Sequence, residues 1–128
     1  SARDAVDRQS SRPDFAILVY PFITFGSLGQ SCSRAHLLGK NPNPERIGFF
    51  STEKHVTAQT PPTFLAHAVD DMLVPPANSR LFHQALCEQG TPSRCLELPS
   101  GGHGLNGYRG PMWQAWQTHA IQWLAETL

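Results

Sequence analysis

Charge is scarce in this sequence. Ten Lys and Arg and ten Asp and Glu residues make up only 16% of 128 residues and cancel to a formal net charge of zero, against roughly 25% charged residues in a typical soluble domain. A neutral chain carries no electrostatic footprint for nucleic acid or anionic membrane. Little of its surface is committed to water, so some faces are expected to meet other protein. No run approaches the roughly 20 apolar residues of a membrane span; neither nucleic acid nor membrane is an expected partner. Cysteine is also sparse: Cys32, Cys87 and Cys95 form no C-x-x-C pair, which excludes a disulfide scaffold, a zinc knuckle and a redox motif. Cys87 and Cys95 could bridge, but two buried thiols are the plainer expectation. No glycine-rich phosphate loop opens a helix. His36, His55, His67, His83 and His119 share no metal-ligand spacing, so neither metal nor cofactor is implied. The first residues have no initiating Met and no apolar core of a signal peptide, and read like the middle of a longer chain.

What is present is enough apolar residue (40%) for one packed domain. Phe15–Tyr20 is a continuous apolar run between prolines, as expected of a parallel strand buried on both faces. Residues 21–62 are punctuated by Gly and Pro and admit only short helices, near Ser33–Leu38 and Glu45–Phe50; so long an irregular connection reads as a lid or binding loop. Thr63–Val69 and Arg94–Leu98 are further strands. Ala77–Glu88 is helical, with Leu81, Phe82, Ala85 and Leu86 on one stripe, and Met112–Thr127 is helical, with Trp113, Trp116, Ala120, Trp123 and Leu124 on one face. The tryptophans are expected to pin that helix to the sheet rather than to form a sugar-stacking platform. The fold class is α/β. Phe15–Tyr20 has no polar alternation to suit an exposed edge, so it expects a neighbouring strand from a missing N-terminal half or a second chain.

Chemistry is expected at the carboxyl ends of parallel strands. One such loop holds Asp70 and Asp71, the next holds His103 among glycines, and the 32 residues between Asp71 and His103 accommodate one helix and one strand. A carboxylate accepting from one imidazole nitrogen leaves the other free to act as a base. An Asp-Asp pair at a strand end also suits an Asx turn or a helix cap, and His67, inside an apolar strand, reads as a hydrogen-bonded core residue.

His67-Ala-Val-Asp-Asp-Met-Leu-Val-Pro-Pro-Ala-Asn-Ser79, Leu98-Pro-Ser-Gly-Gly-His-Gly104 and Arg12-Pro-Asp-Phe-Ala-Ile-Leu-Val-Tyr-Pro21 together resemble α/β-hydrolase-fold serine esterases. The likeness is to the bacterial acetyl-, acetylxylan- and feruloyl-esterase group related to prolyl-oligopeptidase-type domains, and covers residues 12–126. It implies the C-terminal portion of one α/β-hydrolase domain, with parallel strands and flanking helices. In the family the acid precedes two residues and then Val-Pro, which assigns that role to Asp71 and the base to His103. The Gly-x-Ser-x-Gly nucleophile elbow is missing: Gly29-Gln-Ser31-Cys-Ser33 lacks the last glycine and stands about ten residues past its strand. Ser31 is therefore not expected to attack. The resemblance implies hydrolysis of small carboxylic esters, including acetyl esters on carbohydrate, with the serine supplied from elsewhere and residues 21–62 lying over the site. A non-catalytic truncated module acting by association and a prolyl-oligopeptidase-type peptidase are the alternatives.

Overall fold

A computed structural model describes residues 4–28 and 31–128, with Ser31 and Cys32 described for their backbone alone. Three strands, β1 (Ala16–Val19), β2 (Thr63–Ala68) and β3 (Ser93–Leu98), form a parallel sheet in the order β1-β2-β3. Between β1 and β2 run helices α1 (Ser31–Leu38) and α2 (Pro44–Phe50) and a 3₁₀ turn (Thr52–His55). Helix α3 (Ala77–Glu88) connects β2 to β3. After β3 come α4 (Leu105–Tyr108) and the long α5 (Gly110–Thr127). The ends of α2 follow from local chemistry. The Asn43 side chain accepts from the Arg46 amide at 2.8 Å, and Pro44 occupies the first turn, where its missing N–H costs nothing.

β2 is buried along its whole length, and the alternation of a strand assigns its side chains to two layers. Leu65 packs with Ile23, Phe82 and Leu86, placing α3 on one face. Phe64 and Ala66 pack with Ala120 and Trp123, placing α5 on the other. Fully buried Phe64 and Leu65 each contribute about 1.5–3 kcal/mol by leaving water. Trp113 and Trp116 join Ala68, Leu98 and Leu105 in a cluster at the C-terminal end of the strands, so the tryptophan stripe is core.

β1 is shorter and less buried than its sequence suggests. Phe15 is exposed, the four strand residues are half-buried, and Tyr20 leaves the strand with a φ of 42°. Among the described residues β1 pairs only with β2, which accounts for the incomplete burial. The connection 21–62 is tied to α3: Asn78 Oδ1 accepts from the amides of Ile23 and Thr24, each at 3.0 Å, and the Ser51 hydroxyl accepts from the Phe25 amide. The expectation of two buried thiols fails for one of them. Cys87 and Cys95 are both free and Cys87 is exposed, because it lies off the buried stripe of α3 formed by Asn78, Ser79, Phe82 and Leu86. Cys95 is half-buried, and that burial pushes its thiol up to about 11, leaving it protonated and unreactive at neutral pH.

Candidate functional site

The register Ala68↔Leu98 brings β2 and β3 to an end together, and the Val69 amide extends the pairing by donating to the Leu98 carbonyl at 2.9 Å. The two following loops therefore share one edge of the sheet. His103 Nδ1 donates to Asp71 Oδ2 at 2.8 Å, the contact expected from the spacing of the two loops. Asp71 is buried, whereas the His103 side chain retains 33% exposure.

Asp71 also accounts for the alternative reading of the Asp-Asp pair, because its other oxygen closes a turn. Oδ1 accepts from the amides of Leu73 and Val74, both at 2.9 Å. Burial alone would raise this carboxyl. The amide of Val74, the imidazole of His103 and the amide of Leu73 outweigh it, and the group lies below its ordinary value. Asp71 is thus an anion at neutral pH, held in one orientation by N–H groups on both oxygens.

Asp70 points elsewhere. It is exposed and its carboxylate accepts from the backbone amides of Gly102 at 2.9 Å and Gly101 at 3.2 Å, bonds that lower its protonation range. It fastens the glycine loop that carries His103. The far side of that loop winds left-handed: Leu105, Asn106, Gly107 and Tyr108 all have φ between 48° and 68°, unfavourable for the three non-glycine residues and maintained by the surrounding packing. Tyr20, itself left-handed, lays its ring edge-on against His103 with centroids 4.7 Å apart. Burial and the neighbouring Tyr108 hydroxyl raise the Tyr20 phenol, so it remains neutral.

His67 is the residue that sequence reasoning placed in the core without connecting it to chemistry. Its ring is fully buried, with Nε2 2.8 Å from the Val74 carbonyl and 3.2 Å from Asp71 Oδ2, and Nδ1 2.8 Å from the Ser79 hydroxyl. Strand alternation was the available signal: His67 lies on the face of β2 that α3 covers, together with Leu65. Gly29 and Gln30 of the Ser31 segment lie outside the described residues, as does the Ser31 side chain. The described residues contain no group of three or more His, Cys, Asp or Glu able to hold a metal ion.

A buried carboxylate bonded to one nitrogen of a partly exposed imidazole can orient that ring and offset the charge it gains on taking up a proton. Known proteins resemble the chain in sequence and in fold. Residues 16–128 match the prolyl oligopeptidase family. The chain is 41% identical over 107 residues to endo-1,4-beta-xylanase B of Butyrivibrio fibrisolvens, covering 84% of this chain and 17% of that protein. It is 35% identical over 99 residues to an acetylxylan esterase of Xylanibacter ruminicola, covering 73% and 21%. The crystal structure of an acetyl ester-xyloside bifunctional hydrolase from Caldicellulosiruptor lactoaceticus superposes with a TM-score of 0.88 at 37% identity, over 97% of this chain and 46% of that one. A carboxylesterase from Lactobacillus plantarum shares the fold, with a TM-score of 0.73 at 24% identity over 94% and 47%. The chain thus spans about half the length of these structures and about a fifth of the curated relatives. It belongs to the prolyl oligopeptidase family, and its three-stranded parallel sheet with flanking helices is part of an α/β-hydrolase fold of the esterase group.

Proposed function

We propose that this chain carries the acid and the base of a serine ester hydrolase, Asp71 and His103, acting with a serine supplied by a missing N-terminal half or by a second chain. The observation that carries the reading is the 2.8 Å bond from His103 Nδ1 to the buried Asp71 carboxylate. It leaves Nε2 as the nitrogen that takes the serine proton while the serine oxygen bonds to the ester carbon. The imidazolium then gives that proton to the departing alcohol as the acyl–oxygen bond breaks. Water repeats the sequence: Nε2 takes its proton, hydroxide adds to the acyl carbon, and the serine leaves reprotonated. Asp71 holds the ring and offsets its charge throughout. No cofactor or metal enters these steps.

The substrate class we infer is a small carboxylic ester, an acetyl group on a carbohydrate above all. Support comes from the acetylxylan esterase and the acetyl ester-xyloside hydrolase among the relatives. The xylanase name of another relative does not extend to this site. Glycoside hydrolysis commonly needs two carboxyl groups flanking the bond, whereas the Asp70 oxygens are bonded to Gly101 and Gly102 and those of Asp71 to His103 and its own loop. A peptidase is the second reading, favoured by the family match itself.

A chimera tests the proposal: this chain replaces the corresponding part of the Caldicellulosiruptor lactoaceticus hydrolase. It should hydrolyse 4-nitrophenyl acetate and acetylated xylan, and His103→Ala should abolish both activities. A folded chimera that is inactive would favour the non-catalytic module, and one that prefers prolyl anilides would favour the peptidase.

A further inference from the structure

We infer that His67 is a positioning residue for the Asp71–His103 pair: a buried neutral imidazole whose Nε2–H holds Asp71 Oδ2 and tunes how strongly that oxygen binds His103. The inference rests on the reading of Asp71 and His103 as acid and base. It goes further by giving work to a third ionisable side chain that the proposed reaction does not consume.

Hydrogen-bond polarity fixes the state of the ring. Nε2 faces two acceptors, the Val74 carbonyl at 2.8 Å and Asp71 Oδ2 at 3.2 Å, so it carries the proton. Nδ1 then accepts from the Ser79 hydroxyl at 2.8 Å. Every polar atom of the ring is used, with none exposed. Burial holds His67 below the ordinary imidazole range despite the Val74 carbonyl and Asp71, and His103 lowers it further. The ionisable groups around it come from three elements: Asp71 from the β2–α3 loop, His103 from the loop after β3, and Glu97 from β3, directly opposite His67 in the sheet register. Glu97 is engaged by Arg80 of α3. His103 itself faces Asp71, His67 and the neutral Tyr20.

Two consequences follow from one oxygen serving both rings. The His67 N–H prevents Oδ2 from swinging away from His103, and its bond to Val74 O ties the same ring to the turn that Asp71 Oδ1 closes. It also draws charge from Oδ2. Asp71 therefore favours the protonated form of His103 less than a carboxylate lacking that donor would. A residue that only filled space would have the first effect in part and the second not at all.

The test uses the active chimera with ¹⁵N-labelled histidine. In the unsubstituted protein His67 should be seen as the neutral Nε2–H tautomer at neutral pH and should stay neutral below the range in which an ordinary imidazole takes up its proton. An Nδ1–H tautomer, or ordinary titration near pH 6.5, would overturn the inference without any variant. His67→Phe should lower kcat by about 10- to 100-fold with KM unchanged. It should also move the acid limb of the kcat/KM profile upward. His67→Gln, whose amide N–H reaches the same position, should restore both to near the original. A folded His67→Phe variant with an unmoved acid limb, or a Gln variant as impaired as Phe, would reduce His67 to core packing. Should His67→Phe not fold, the tautomer and the Gln variant decide. Failure of the acid–base reading is a different result: His103→Ala would retain activity whatever happens at His67.

Discussion

Asp71→Asn is the most informative single change, because the structure separates its effect on the fold from its effect on the chemistry. The carboxylate receives four N–H groups: Leu73 and Val74 on Oδ1, His103 and His67 on Oδ2. An asparagine can keep only one oxygen. Turning its NH₂ toward the two backbone amides would leave two N–H groups facing donors that cannot move. Turning it toward the imidazoles is the better choice, since His67 keeps the Val74 carbonyl and His103 can change tautomer. The loss is then that of charge-assisted bonds, about 1–3 kcal/mol, or about 2–6 °C in a chimera of some 250 residues or more. The chemistry suffers far more. His103 accepts at Nδ1 from the new amide and carries its proton on Nε2, where the lone pair is required. Turnover should fall by up to about 10⁴-fold. The assay pairs 4-nitrophenyl acetate kinetics with a thermal melt and includes Asp70→Asn as comparator. Asp70 touches only the backbone of the histidine loop, and an asparagine oxygen there still accepts one glycine amide, so its loss should be a few fold. An Asp71→Asn variant within tenfold of the original, or one less impaired than Asp70→Asn, would refute the assignment of the acid.

Three further expectations concern the chain itself. His67 and Asp71 both lie below their ordinary values of 6.5 and 3.8; the folded protein then binds fewer protons than the unfolded chain, so each contribution is complete above the ordinary value and lost as pH falls below it. The melting temperature should fall from about pH 6.5 downward and again below about pH 3.8, and a flat profile from pH 7 to 5 would show that His67 is not held neutral. The 128-residue chain alone should hydrolyse 4-nitrophenyl acetate no faster than free imidazole and resist a fluorophosphonate probe; stoichiometric labelling at Ser31 would identify the nucleophile there instead. The half-paired strand β1 should make the isolated chain associate, as read by light scattering across dilution, and a monomer melting cooperatively above about 60 °C would rule that out.

The sheet and its two covering helices were legible because each is an apolar run with its own punctuation. Thr63–Ala68 follows Pro61-Pro62, Ser93–Leu98 ends before Pro99, and α3 ends ahead of Gly90. The meeting of Asp71 and His103 was legible in outline from the same pattern, since two consecutive parallel strands must end on one edge. The left-handed turn at Leu105–Tyr108 was not, because nothing intrinsic to Leu or Tyr favours positive φ. Tertiary packing imposes it, with Leu105 fully buried and the Tyr108 ring set against Trp113. Strand alternation could place His67 under α3, but only the seating of α3 brings Ser79 to one side of the ring. Only the turn at Val74 brings Asp71 to the other.

The adjacent carboxylates show why the loop around His103 is so dense in glycine. Asp71 grips the imidazole ring, while Asp70 grips the main chain that carries it through two consecutive amides. Presenting both amides to one carboxylate demands backbone angles that side chains resist. Gly101 has a φ of 127° and Gly102 of 58°, and a Cβ on Gly101 would stand 3.2 Å from the Leu105 Cα. The glycines therefore serve the Asp70 clasp as much as they clear space for a reacting group. The backbone and the ring of His103 are held by neighbouring residues of one strand end. Displacement of either loop strains both grips at once, and that coupling keeps a surface imidazole in fixed register with a buried carboxylate.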